Sequence, residues 1–179
     1  MLTITSGKYK NISLYLPPEN ITRPISQKVR SAVFNTLAQR IVDSSVLDLY
    51  AGSGAMAIEA ISRGARAATL VEDNFKSLSV IKKNIKKLDR SESIVVINSD
   101  VSKFTASCTQ KFDIIFIDPP YDELDIDMVK RASNLLQYGG IIVLSRASRI
   151  DLGDIGQTLQ IASSKNYGDT QIEYIKKLN

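Results

Sequence analysis

With 179 residues, 44% of them hydrophobic and 23% charged, the chain is sized for one domain with a sizeable core, and its composition excludes disordered, collagen-like and coiled-coil proteins. The net charge of +4 is unevenly placed: residues 1–40 carry six Lys or Arg against Glu19 alone, and the rest of the chain carries 17 basic against 18 acidic residues. No histidine and one cysteine, Cys108, exclude Ser-His and Cys-His nucleophilic pairs, imidazole acid–base chemistry, an internal disulfide and most zinc sites.

The opening Met1-Leu2-Thr3-Ile4-Thr5-Ser6-Gly7-Lys8 lacks the charged-then-apolar order of a signal peptide, and no apolar run reaches the ~18–20 residues that span a bilayer. A cytoplasmic monomer without membrane contact or metal is expected. Residues 1–24 read as a basic arm and residues 25–179 as the main domain. A basic arm on a near-neutral domain suits a phosphate backbone, because Lys and Arg release condensed counterions when they neutralise phosphates. Lys8, Lys10, Arg23, Lys28 and Arg30 are the candidates, against the plainer reading of a solvated basic face.

After Pro17-Pro18 and Arg23-Pro24, Ser26 stands as the N-cap of a helix predicted to run to about Ile41, with Val29, Val33, Leu37 and Ile41 on one buried face. Val46–Tyr50 predicts a strand, Ala55–Ser62 a helix, Ala67–Val71 a strand and Phe75–Leu88 a Lys-rich amphipathic helix. Ile94–Ile97, Ile114–Ile117 and Ile141–Leu144 are short Ile/Val-rich runs, as expected for strands covered on both faces. Leu159–Ser163 and Gln171–Ile175, joined through Asn166-Tyr167-Gly168-Asp169, predict a final hairpin. The expected fold is α/β and Rossmann-like: a mostly parallel seven-stranded sheet with a C-terminal antiparallel hairpin and helices on both faces.

Asp48-Leu49-Tyr50-Ala51-Gly52-Ser53-Gly54 lies where the first of these strands gives way to a helix, the carboxyl edge at which open α/β sheets bind ligands. Gly52 and Gly54 let the backbone turn tightly and approach a ligand, and the expected occupant is a nucleoside-containing cofactor. Glu72, at the end of the second strand, is placed to accept hydrogen bonds from ribose hydroxyls, and Asp100, ending the third, to reach an adenine amino group. Gly52-Ser53-Gly54-Ala55-Met56-Ala57 also satisfies the looser G-x-G-x-x-A fingerprint, so the loop alone does not separate S-adenosylmethionine from a nicotinamide dinucleotide. Asp48 orients the loop or caps a helix.

Phe112-Asp113-Ile114-Ile115-Phe116-Ile117 leads into Asp118-Pro119-Pro120-Tyr121. Proline lacks an N–H and holds φ, so the Asp118 carboxylate and the Pro119 carbonyl form a rigid pair of acceptors. An amino group conjugated to a nucleobase is a poor nucleophile because its lone pair is delocalised. Two acceptors that hold its N–H bonds let the nitrogen pyramidalise and aim that lone pair at an electrophilic methyl carbon. A reference Asp titrates near ~3.9, so Asp118 is expected to be ionised and to favour the developing ammonium. Tyr121 is the candidate to stack on a base that has been unpaired or flipped out. Cys108 lacks the Pro-Cys context of a pyrimidine C5 methyltransferase, and Asp122–Asp127 suit a helix N-terminus better than a cation.

Together these segments resemble the RsmD family, bacterial methyltransferases of a guanine amino group (N2) in small-subunit (16S) ribosomal RNA. The resemblance is carried by Ile4, Gly7 and Tyr9; Arg23-Pro24 with Val29-Arg30 and Phe34-Asn35; the Asp48–Gly54 loop; Glu59; Ser62-Arg63-Gly64; Glu72; Asp118–Tyr121; and Tyr167-Gly168-Asp169. It implies a class I methyltransferase fold in which Asp48, Tyr50, Ala51, Gly52, Ser53, Gly54, Glu72 and Asp100 form the S-adenosylmethionine site. It also implies that Asp118, Pro119, Pro120 and Tyr121 hold the guanine, and that the basic arm meets ribosomal RNA or the small subunit. The chain departs from the family pattern at Ser26 and Gln27, where Thr and Asp are common, and at Arg146, where an acidic residue is frequent. Other readings are a DNA adenine or cytosine amino-methyltransferase, a non-catalytic RNA-binding module and a nicotinamide-dependent oxidoreductase. A protein-glutamine methyltransferase shares the plan but usually has Asn in place of Asp118.

Overall fold

A computed structural model describes residues 2–18, 25–89, 91–120 and 124–178. After β1 (Leu2–Thr3) and β2 (Ser13–Leu14) come α1 (Gln27–Leu37), β3 (Ser45–Leu49), α2 (Ala55–Ser62), β4 (Ala67–Glu72), α3 (Phe75–Ile85) and β5 (Ile94–Asn98). The chain continues through α4 (Val101–Ser107), β6 (Phe112–Ile117), α5 (Ile126–Ser133), β7 (Leu136–Ala147), β8 (Leu159–Tyr167) and β9 (Thr170–Lys177). Seven strands form one sheet in the order β5-β4-β3-β6-β7-β9-β8, parallel from β5 to β7 and antiparallel at β9 and β8. None of the described helices is long and apolar enough to cross a membrane.

The central strands are continuous apolar runs because both faces are covered. Val46, Leu70, Ile114, Phe116 and Val143 point into one core, which packs on α1, α2 and α3. Their strand neighbours Leu47, Leu49, Val71, Ile115 and Leu144 point into the other, closed by Val101 and Phe104 of α4 and by Met128, Val129 and Ala132 of α5. This alternation on buried strands is the doubly wound arrangement expected from the repeated βα units.

Two predicted helices end early. Ala38, at φ 45, stops α1, and residues Ala38–Ile41 close as a 3-10 turn that still buries Ile41. The chain after Ile85 tightens into turns, with Lys87 N–H donating to the Asn84 carbonyl at 3.1 Å and Leu88 N–H to the Ile85 carbonyl at 2.9 Å.

The segment read as an arm is fastened to the domain over its described residues, 2–18. Leu2, Ile4, Tyr9 and Leu14 are buried in the core beside α1–α3. Ser62 at the end of α2 anchors the turn: its carbonyl accepts from Lys8 N at 2.8 Å, and its Oγ accepts from Tyr9 N at 2.9 Å and donates to the Ser6 carbonyl at 2.6 Å. Gly7, at φ +82, lies so close that a Cβ there would stand 1.9 Å from the Ser62 carbonyl oxygen. The apolar residues interleaved with Lys8 and Lys10 explain why this stretch docks.

Candidate active site

The strand order reverses at β3, whose two neighbours are β4 and β6. Open α/β sheets bind ligands at the carboxyl edge of such a reversal. Leu49 is paired with Val71 on one side and Ile117 on the other, and Ile117 in turn with Leu144. The segments that follow, Tyr50–Gly54, Glu72, Asp118–Pro120 and Ser145, therefore emerge side by side.

They surround a cavity of about 520 Å³, within the ~300–1,000 Å³ usual for small-ligand sites. Of the candidates read from the sequence, the first loop contributes Asp48, Tyr50, Ala51, Gly52 and Ser53, β4 contributes Glu72, and the loop after β6 contributes Asp118, Pro119 and Pro120. Gly54 stands just behind as the N-cap of α2. Tyr121 lies outside the described residues, as does Arg23.

The first loop is held by its own backbone and by Glu72. Tyr50, Gly52 and Gly54 adopt φ of 62, 56 and 77, the left-handed conformation that glycine takes without penalty. Ala51 N–H donates to the Val71 carbonyl at 3.1 Å and Gly54 N–H to the Ala51 carbonyl at 2.7 Å. Glu72, 7% exposed, accepts from Gly52 N at 2.7 Å with one oxygen, and from Asp73 N at 3.1 Å and Asn74 N at 2.9 Å with the other. Carboxylate oxygens have lone pairs to spare, so this role leaves room for ribose hydroxyls. Asp48, 2% exposed, accepts from Ala57 N at 3.2 Å. Burial pushes its carboxyl well above the usual range, offset in part by that bond and reinforced by the nearby Asp118 and Glu72.

Asp118 is half-buried at the cavity wall. Burial raises its pKa to about 6, and a hydrogen bond from the Ser145 hydroxyl draws it down. It is thus still mainly a carboxylate at neutral pH, by a smaller margin than the reference value suggests.

Several expected positions are elsewhere. Asp100 is the exposed N-cap of α4, accepting from Lys103 N at 2.9 Å, and does not line the cavity. A strand-end carboxylate followed by a helix serves the helix's free N–H groups as readily as a ligand. Lys10 and Lys28 are exposed, and Lys8 pairs with Asp89 at 2.6 Å. Arg30, read as a nucleic-acid contact, is 1% exposed, faces Glu59 at 3.4 Å and lines the cavity instead. Sequence reasoning left Ser26, Ser145, Tyr167, Asp169 and Thr170 out of the site, and all five line the cavity. The one available signal was Tyr167-Gly168-Asp169, noticed as part of a resemblance without a role; Ser145 needed the strand order.

An acid-lined pocket on a glycine turn at this edge suits a nucleoside that carries cationic sulfonium and ammonium groups. The family model described as conserved hypothetical protein 95 matches residues 2–176. Ribosomal RNA small subunit methyltransferase D of Escherichia coli is 35% identical over 139 residues, covering 78% of this chain and 68% of the relative. YlbH of Bacillus subtilis is 29% identical over 182 residues, 98% of this chain and 99% of the relative. The solved structure of yhhF from Escherichia coli superposes with a TM-score of 0.88 at 28% identity, over 99% of this chain and 98% of that one. The chain belongs to the family of the ribosomal RNA small subunit methyltransferase D proteins, and it is an α/β methyltransferase whose cofactor is S-adenosylmethionine.

Proposed function

We propose that this protein methylates the exocyclic N2 of a guanine in small-subunit ribosomal RNA. The observation that carries this reading is the adjacency of two loops, the cofactor turn after β3 and Asp118-Pro119-Pro120 after β6, on paired strand ends around one cavity. The family relatives named as small-subunit ribosomal RNA methyltransferases support the choice of RNA.

S-adenosylmethionine would supply an electrophilic methyl group and leave as S-adenosylhomocysteine with the electron pair of the broken carbon–sulfur bond, while the proton shed by the methylated nitrogen passes by way of Asp118 to solvent. Asp118 and the Pro119 carbonyl accept the two N–H bonds of the guanine amino group, which localises the nitrogen lone pair and directs it towards the cavity. Asp118 stabilises the positive charge that grows on nitrogen, and the Ser145 hydroxyl keeps it ionised. Tyr121 stacks on the base, and exposed Lys10 and Lys28, with Arg23, meet RNA phosphates.

Radiolabelled methyl transfer to unmodified small ribosomal subunits, naked ribosomal RNA and DNA in parallel, followed by nucleoside analysis, tests the assignment. N2-methylguanosine from the ribosomal substrates is expected. Label in adenine or cytosine of DNA identifies a DNA amino-methyltransferase instead, and cofactor binding without transfer to any substrate identifies a non-catalytic module.

A further inference from the structure

The cavity has an uneven charge balance. Asp48, Glu72, Asp73, Asp118 and Asp169 line it, and among the described lining residues Arg30 is the sole cation. The ammonium and sulfonium of S-adenosylmethionine find acids on several sides. Among the described lining residues, its carboxylate finds one cationic side chain.

We propose that Arg30, with the N-terminus of α1, receives the carboxylate of the cofactor's methionine moiety. This inference rests on the cofactor and not on which base is methylated.

Arg30 is 1% exposed, yet its guanidinium is incompletely matched. Nη2 donates to the Thr3 carbonyl, Nε reaches Glu59 at 3.4 Å, and Nη1 is buried with no hydrogen-bond partner among the described residues. Glu59 is also shared: Arg63 Nε lies closer, at 2.8 Å, and Thr5 N, Thr5 Oγ1 and Ser6 N all donate to the same carboxylate at 2.8, 2.6 and 3.1 Å. Two guanidinium groups thus divide one carboxylate, which leaves a surplus positive charge in a desolvated wall. Burial lowers the Arg30 pKa and Glu59 only partly restores it. A second anion at the cavity face of Arg30 relieves that imbalance.

The helix adds to the same end of the cavity. Ile25, Ser26 and Val29 line it beside Arg30. Among the described residues the Ser26 side chain caps only Val29 N, at 3.3 Å, and the N–H groups that open the helix carry the positive end of the α1 dipole.

Calorimetric titration of the full chain with S-adenosylmethionine and with decarboxylated S-adenosylmethionine, which keeps the adenosine, sulfonium and amine, isolates the carboxylate. The wild type is expected to bind the intact cofactor at least about tenfold more tightly, the worth of one hydrogen bond between charged groups. Arg30→Met is expected to lose about that factor for the intact cofactor while binding the decarboxylated analogue as the wild type does, and Arg30→Lys to recover part of the loss. If Arg30→Met weakens both ligands equally, Arg30 acts through Glu59 on the fold and the proposal is overturned. Should that variant not fold, the wild-type ratio decides: equal affinity for the two ligands also overturns it. Failure of the wild type to bind either ligand removes the cofactor assignment itself and is thereby distinguished from failure of the Arg30 role.

Discussion

Two carboxylates stand at neighbouring strand ends of the same cavity and are used in opposite ways. Glu72, closing β4, accepts three backbone N–H groups and so fixes the turn proposed to hold the cofactor. Asp118, following β6, is held by the Ser145 hydroxyl and fronts the cavity, with its pKa raised to about 6 by burial. A carboxylate tied down by three backbone donors shapes a site, whereas one to which the described residues give a single hydroxyl donor in a desolvated wall is available to a substrate amine. The same residue class at the same sheet edge is therefore set apart, by hydrogen bonds and burial together, for the binding and reacting roles proposed for it.

The sharpest way to break this contrast is to remove each carboxylate in turn. Asp118→Ala is expected to lower methyl transfer by at least about 10²-fold, the usual loss at an electrostatic site, while calorimetry shows cofactor affinity within about twofold of wild type. Unchanged turnover would remove Asp118 from the chemistry. Glu72→Ala should show the reverse ordering. The buried Gly52 N–H loses its acceptor, so thermal or denaturant unfolding is expected to register a loss of about 1–3 kcal/mol. S-adenosylmethionine affinity should fall with it, and turnover at saturating cofactor should be affected least.

A subtler test uses pH. In its proposed role Asp118 offsets the growing positive charge only when ionised, and its pKa stands at about 6. Lowering the pH through that value protonates it, so kcat/KM for the nucleic-acid substrate is expected to be level above it and to fall about tenfold per pH unit below it. Ser145→Ala removes the hydrogen bond that favours the charged form, so the acid limb should move to higher pH with little change in the plateau. A limb that stays in place in Ser145→Ala would show that Ser145 does not hold the reacting carboxylate.

How far these roles could be read in advance depended on whether they are local. The Gly52–Gly54 turn and Asp118-Pro119-Pro120 follow buried apolar runs directly, so position and chemistry were visible together. The final hairpin was legible because two strand patterns flank a turn centred on Gly168. The N-terminal segment was not. Its two strands are two residues each, and its fastening depends on Glu59 and Ser62, more than fifty residues away in sequence. Arg30 counted as one more basic residue in composition, although it is flanked by Val29 and precedes Val33 and Phe34 by helical spacings that all face the core. Arg146, the departure from the family's acidic pattern, is answered across the β7–β9 ladder by Glu173 at 2.6 Å. That compensation cannot be seen without the strand register. Asp100 illustrates a different ambiguity, since a carboxylate between strand and helix is equally a ligand contact and an N-cap.

The same distinction between tied and available groups extends to the basic residues outside the cavity, where the expected effects are smallest. Lys8 is engaged by Asp89, and Arg30 is inside the wall, whereas Lys10 and Lys28 are exposed. Binding of unmodified ribosomal RNA, measured as a function of salt, should therefore lose about one unit of counterion-release slope for each of Lys10→Ala and Lys28→Ala, with unfolding temperature unchanged. Lys8→Ala should alter the slope less, because its charge is already partly neutralised within the protein. Equal slopes for all three variants and the wild type would place the RNA on another surface and leave the basic N-terminal composition as a solvated face, without touching the chemistry assigned to Asp118.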